Sequence, residues 1–257
     1  MKTTHILAIG NSFSEDSLEH LWRMAQDAGK GHLVIGHLMI GGCSLLEHAT
    51  NIHENRPSYF YLKTSDGTWK TTGAVTLCSG LKDESWDIVT IQQASAYSGI
   101  PESYQPSLDT LVRTIRSTVS NPHVRIAFHM TWAYQKDSDH GGFVSYQNDQ
   151  DVMTSRIIQA TKTIVLPHPD IDMVIPSGQA IRRARTVFGD VLTRDGFHLD
   201  LTIGRRIASM TWLASLLQGD PERIRPVSGV FEGSVRERAI RCVKDALNDP
   251  FSMDQPT

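Results

Sequence analysis

Apolar positions in this chain of 257 residues fall into short continuous runs that alternate with longer helical periods. Ile6-Leu7-Ala8-Ile9 is unbroken and stops at Gly10, the pattern of a strand buried on both faces. Leu18, Leu21, Trp22, Ala25 and Ala28 then recur at helical spacing and predict a helix over 15–28, stopped by Gly29. Ser14 is its expected N-cap, and Glu15 and Asp16 are expected partners of the helix dipole. A second strand is predicted over 34–40, ending at Gly41-Gly42. Ser65-Asp66-Gly67 lies between two β-rich runs and predicts a hairpin inserted near 57–73 at the rim of the sheet.

Further strands are predicted over 87–91, 125–129 and 173–175, and helices over 108–119, 152–165, 178–187, 204–217 and 235–247. Residues 134–150 are polar, aromatic and glycine-containing, which predicts a loop over a cleft. Strands alternating with helices imply an α/β protein, a three-layer α/β/α sandwich around a mostly parallel five-stranded sheet. The length suits one domain over 1–257.

Composition narrows the partners. The net charge of -3 gives no broad attraction for nucleic acid or an anionic membrane, so neither is expected as a partner. Cys43, Cys78 and Cys242 are too few and too scattered for a disulfide framework or a zinc site, and read as small apolar fillers in a reducing compartment. No metal is expected. No apolar run is long enough to cross a bilayer. The first strand begins within a few residues of Met1, so a cytoplasmic protein is expected, although a chain trimmed of a leader would read the same. Oligomeric state is left open.

The candidate chemistry lies at two distant places. Ser12 follows the first strand in Gly10-Asn11-Ser12, where a strand-to-helix turn places a hydroxyl at the edge of an open sheet. Asp195-Gly196-Phe197-His198 sits on a late loop. A serine hydroxyl needs a base, histidine suits that role near neutral pH, and a carboxylate on its other nitrogen fixes the tautomer. Ser12, His198 and Asp195 supply the three types. Gly42 offers an unobstructed backbone N–H that, with the N–H of Ser12, would make an oxyanion hole. Trp132, Tyr134 and Tyr146 are candidates to stack on a sugar ring, or else pack within their loop. His129 reads as a core histidine, and His48 and His53 as solvent-facing.

At these residues the chain resembles the SGNH, or GDSL-type, hydrolases. Gly10-Asn11-Ser12 is similar to their first block, Gly42-Cys43-Ser44 stands where the glycine block belongs, and Asp195-Gly196-Phe197-His198 matches the last. The third block departs: Asp87-Ile88-Val89-Thr90-Ile91 is followed by Gln92-Gln93-Ala94-Ser95-Ala96, with Ala96 where the family has an oxyanion-binding asparagine. Gln92, Gln93 or Ser95 is expected to restore that donor. The resemblance implies the three-layer fold and deacylation of esters, often acetyl groups on sugars. The implied substrate is a small-molecule or oligosaccharide ester, with no metal or organic cofactor. Two other classes stay open: a ligand-binding protein that keeps the fold without turnover, and a phosphate-binding flavodoxin-like domain. The latter is weak, because neither G-x-G-x-x-G nor a Walker lysine is present.

Overall fold

A computed structural model describes residues 3–253. Strand β1 (Thr4–Gly10) pairs in parallel with β2 (Leu33–Met39) on one side and β5 (Ile88–Ile91) on the other. Beyond β5 follow β6 (Arg125–His129) and β7 (Met173–Ile175), both parallel. These are the five parallel strands that the apolar runs predict. The hairpin is more than a rim insertion. Its strands β3 (Tyr59–Thr64) and β4 (Lys70–Val75) continue the sheet in antiparallel register from β2, so the sheet has seven strands in the order β4-β3-β2-β1-β5-β6-β7. The backbone N–H and C=O groups of β2 that face outward are satisfied by β3 rather than left at an edge.

Both faces are covered. Ile6 and Ala8 of β1 point into one core, and Leu7 and Ile9 into the other, as period-two alternation requires. The first core is closed by α1 (Ser12–Leu18), α2 (Leu21–Asp27), α7 (Ser177–Phe188), α8 (Gly204–Leu217) and α9 (Gly233–Asn248). The second is closed by α3 (Leu45–His53), α4 (Leu77–Asp83) and α5 (Ser107–Thr118). Helix α6 (Gln150–Ala160) gives Met153, Ile157 and Ile158 to the first core and Ala160 to the second.

Three details differ from the sequence reading. The helix expected over 15–28 is two helices, because the chain turns at 19–20 between α1 and α2. Its N-cap is Asn11, whose Oδ1 accepts the Phe13 amide at 3.0 Å, so Ser14 is released from capping. His48 does not face solvent. It is fully buried in α3, with Nδ1 2.8 Å from the Tyr59 hydroxyl and 3.5 Å from Cys43 Sγ, and its ring stacks on Tyr59. The short helices α3 and α4 carry too few apolar positions for periodicity to reveal them.

The chain leaves β1 toward β2 on one side and later returns to β5 on the other. The strand order therefore reverses between β1 and β5, and the crevice beyond their carboxyl ends is the usual place for a site in an open α/β sheet. Ser12 follows β1 and Gln92 follows β5.

Candidate active site

Ser12 begins α1, half-buried at the carboxyl end of β1. His198 Nε2 lies 2.7 Å from Ser12 Oγ, and His198 Nδ1 lies 2.6 Å from Asp195 Oδ2. The second oxygen of Asp195 accepts the backbone amides of Phe197 at 3.2 Å and His198 at 2.7 Å. Burial raises the Asp195 carboxyl pKa, but the hydrogen bonds from the His198 ring and from these two amides outweigh it and hold the group below the usual carboxylate range. An ionised Asp195 fixes the proton of the neutral imidazole on Nδ1. Nε2 is then left as an acceptor facing the serine hydroxyl.

The loop that carries Asp195 and His198 is fastened to α1 by Asp16. This side chain is fully buried. Its Oδ2 accepts the Leu199 amide at 2.7 Å, and its Oδ1 receives Arg194 at 3.1 Å and Arg205 at 2.7 Å. Asp16 is therefore an anchor between elements rather than the dipole partner expected from its place in the helix. Trp132 supports the same loop from beneath: its Nε1 donates to the Phe197 carbonyl at 2.8 Å, and its ring stacks on Phe13 at 4.4 Å.

The two glutamines of the third block take separate structural roles. Gln92 is fully buried. Its Nε2 donates to Asn11 Oδ1 at 2.8 Å, while its Oε1 receives the Ser14 hydroxyl and sits 3.2 Å from His129 Nδ1. Asn11 Nδ2 in turn donates to the Cys43 carbonyl at 3.3 Å, which links the turn bearing Ser12 to the turn bearing Gly42. Gln93 Oε1 accepts the Leu45 and Ala94 amides at 3.0 and 2.8 Å, and its Nε2 donates to the carbonyl and hydroxyl of Ser103, both at 3.0 Å. Both side-chain donors of Gln93 are thus spent on Ser103. Gly42 lies on an exposed turn, and a Cβ built there would meet nothing within 4 Å.

The aromatic residues expected at a sugar face lie elsewhere. Trp132, Tyr134 and Tyr146 are fully buried. Tyr134 places its hydroxyl 2.9 Å from Ser95 Oγ, and Tyr146 donates to the Ala96 carbonyl at 3.0 Å. Burial of a tyrosine or tryptophan requires a partner for its polar tip, and each of these tips is engaged within the protein. His129 is buried as a core histidine; burial lowers its pKa to about 3. His140, which no sequence pattern singles out, lies beside the site. Its ring stands edge-on to Phe197 at 4.7 Å, and its pKa is lowered first by burial and then by electrostatic interaction with His198. Its only advance signal is membership of the loop over 134–150.

Among the described residues no group of three or more His, Cys, Asp or Glu side chains is arranged to hold a metal ion, and no helix is long and apolar enough to cross a membrane.

Comparison with known proteins agrees with this architecture. The fold is that of the SGNH-type hydrolases. An acetylxylan esterase from Geobacillus stearothermophilus superposes with a TM-score of 0.52 at 11% identity, over 82% of this chain and 92% of its own. A carbohydrate esterase of family 3 from Talaromyces cellulolyticus gives 0.53 at 15% identity, over 84% and 97%. The particular family is DUF4886, a domain of unknown function whose model matches residues 5–228, and the chain belongs to it. A DUF4886 protein from Bacteroides uniformis is 38% identical, with a TM-score of 0.93 over 99% of this chain and 98% of its own. No curated protein matches the sequence.

Proposed function

We propose that the protein is a serine ester hydrolase that removes acyl groups, acetyl above all, from a carbohydrate. The observation that carries this reading is the unbroken line from Asp195 through His198 to Ser12, with contacts of 2.6 and 2.7 Å. His198 Nε2 takes the Ser12 proton as Oγ attacks the acyl carbonyl. The negative charge that develops on the carbonyl oxygen is held by the amides of Ser12 and Gly42. His198 returns the proton to the departing alkoxide, and a water molecule then repeats the sequence on the acyl-enzyme. Asp195 keeps the imidazole in the tautomer that leaves Nε2 free.

Ala96 offers no side-chain donor where the SGNH-type hydrolases have asparagine, and Gln93 spends both of its amide hydrogens on Ser103. The oxyanion is therefore assigned to the two backbone amides, with Gln92 holding the nucleophile turn through Asn11. Absence of one such donor costs roughly 100- to 1000-fold in rate, so a slow enzyme or an activated ester is expected. The carbohydrate preference is supported by the esterases that share the fold.

The test is a panel of acetylated sugars and aryl esters, assayed with the wild type and with Ser12→Ala, together with labelling by a fluorophosphonate. Turnover and labelling that vanish in Ser12→Ala support the reading. No turnover of any ester by the wild type and no labelling would leave the alternative, a binding protein that keeps the fold without turnover.

A further inference from the structure

A second concave site lies between α1 and the hairpin, on the first-core face of the sheet. It encloses about 140 Å³ and is lined by Glu15, Leu18, Glu19, His37, Leu62 and Trp69. That is space for roughly four or five water molecules, on the scale of one sugar ring. Glu15 lies three residues after Ser12 on the same helix, and side chains at that spacing are neighbours about 5–6 Å apart. The wall of the cavity thus begins one helical turn from the nucleophile.

The cavity is a built feature. Leu62 of β3 is paired with His37 of β2, so both belong to the sheet itself. The hairpin tip is clasped against α2: a Cβ at Gly67 would come within 2.8 Å of the Trp22 ring, and the residue has φ +88°, so a side chain here is excluded twice over. This clasp holds Trp69 over the cavity. His37 is 2% exposed, and its Nε2 is buried with no hydrogen-bond partner among the described residues. Burial lowers its pKa to about 3, so the ring is neutral and offers one donor and one acceptor. Glu19 is paired with Arg205, whereas Glu15 is exposed and forms no ion pair with a described residue.

These groups select a ligand class. The Glu15 carboxylate disfavours an anion. A wholly apolar molecule would leave the buried imidazole unsatisfied, which is costly. A hydroxyl both donates and accepts, as a neutral imidazole does, and neighbouring hydroxyls match the two oxygens of Glu15. Leu18, Leu62 and the Trp69 ring supply the apolar surface that the C–H face of a sugar covers. We propose that this cavity binds one neutral sugar unit, the alcohol half of the ester, and so sets which glycoside reaches Ser12; this deepens the hydrolase reading and rests on it.

The test is titration calorimetry of the full chain with unesterified methyl glycosides of xylose, glucose, galactose, mannose and arabinose. Methyl glucuronide and benzyltrimethylammonium serve as anionic and cationic comparators. Saturable binding of at least one neutral glycoside, weakened tenfold or more in Trp69→Ala and severalfold in Glu15→Ala, is the expected result. Glu15 is exposed, so its variant keeps the test valid should Trp69→Ala loosen the hairpin. The imidazole nitrogen resonances of His37 are expected to move on titration. No binding of any neutral glycoside, binding indifferent to both variants, or preference for the ammonium compound overturns the proposal. Because the glycosides carry no ester, the result is independent of turnover. Glycoside binding without ester hydrolysis sinks only the hydrolase reading, and hydrolysis without glycoside binding sinks only the sugar site.

Discussion

Asp16 accepts the Leu199 amide at 2.7 Å, joining the helix that starts at Ser12 to the strand-like end of the loop that carries His198. The two residues stand 183 positions apart in the chain, yet their bond ties the loop that carries His198 to the helix that carries Ser12. Asp16 is fully buried and takes two guanidinium groups as well, so its loss leaves Arg194 and Arg205 without their shared partner. Asp16→Ala is expected to cost roughly 3 kcal/mol of stability, in the range for breaking a buried ion pair. It should also lower kcat on an aryl ester more than it raises KM. Urea denaturation and steady-state kinetics check both. An unchanged denaturation midpoint would show that the anchor is dispensable.

In the proposed mechanism Asp195 orients the imidazole and does not itself take up the proton, so Asp195→Asn should leave the fold intact and select the wrong tautomer. A fall in kcat of about 10⁴-fold is expected, equivalent to about 5 kcal/mol. The carboxyl pKa is depressed, so Asp195 is ionised throughout the neutral range and protonates only below the ordinary carboxylate value. The acid limb of the rate profile above pH 5 must therefore arise from another group. A pH–rate profile in which Asp195→Asn abolishes that limb would contradict this assignment.

The turn that presents Ser12 has no room beneath it. A Cβ at Gly10 would lie 2.3 Å from Ser14 Oγ and 2.9 Å from Gln92 Oε1. Gly10→Ala must displace the bonds that Gln92 makes to Asn11 and Ser14. Gln92→Met removes the same bonds without the clash and leaves Asn11, Ser14 and His129 each short of a partner. A loss of about 1–3 kcal/mol is expected for unsatisfied buried groups, with a parallel loss of activity. Thermal denaturation and ester turnover of both variants measure it. Full activity in Gln92→Met would show that the buried network does not position Ser12.

Three buried imidazoles set an acid limit on stability. Burial lowers the pKa of His37 to about 3, of His48 to about 4 and of His129 to about 3, from an unfolded value of 6.5. The unfolded chain binds protons that the folded chain does not, so stability is full above pH 6.5 and declines as pH falls from there toward 3–4. Each ring contributes on the order of 2 kcal/mol of loss by pH 5. Urea unfolding at pH 7 and pH 5 should show this decline, and His129→Leu should flatten part of it. A stability unchanged between the two pH values would show that these rings are protonated in the fold.

Much of this architecture is legible from local pattern. The runs at 6–9, 125–129 and 173–175 are strands because continuous apolar residues bounded by turn formers suit a sheet buried on both faces, and the period over 204–217 is a helix for the complementary reason. Ser12, Asp195 and His198 are recognisable because residue type and order are local facts. Asp16 and Gln92 are not recognisable, because what defines them is the partner each meets across the sheet. The same holds for Trp132 and Tyr134. An aromatic side chain in a glycine-containing loop looks equally suited to a sugar or to the core, and only the packing of Phe13 and Ser95 against them decides.

The amino-acid order by itself determined the alternation of strands and helices, the parallel sheet and the three residue types of the candidate site. Backbone propensity and apolar period act over a few residues, and that is all such features require. The tertiary structure alone decided that the hairpin extends the sheet, that the strand order reverses between β1 and β5, and that Asp16 and Gln92 brace the turn bearing Ser12 from two sides. Those outcomes depend on satisfying buried polar groups and strand edges across separations of tens to hundreds of residues, and no local pattern encodes which partner will be there.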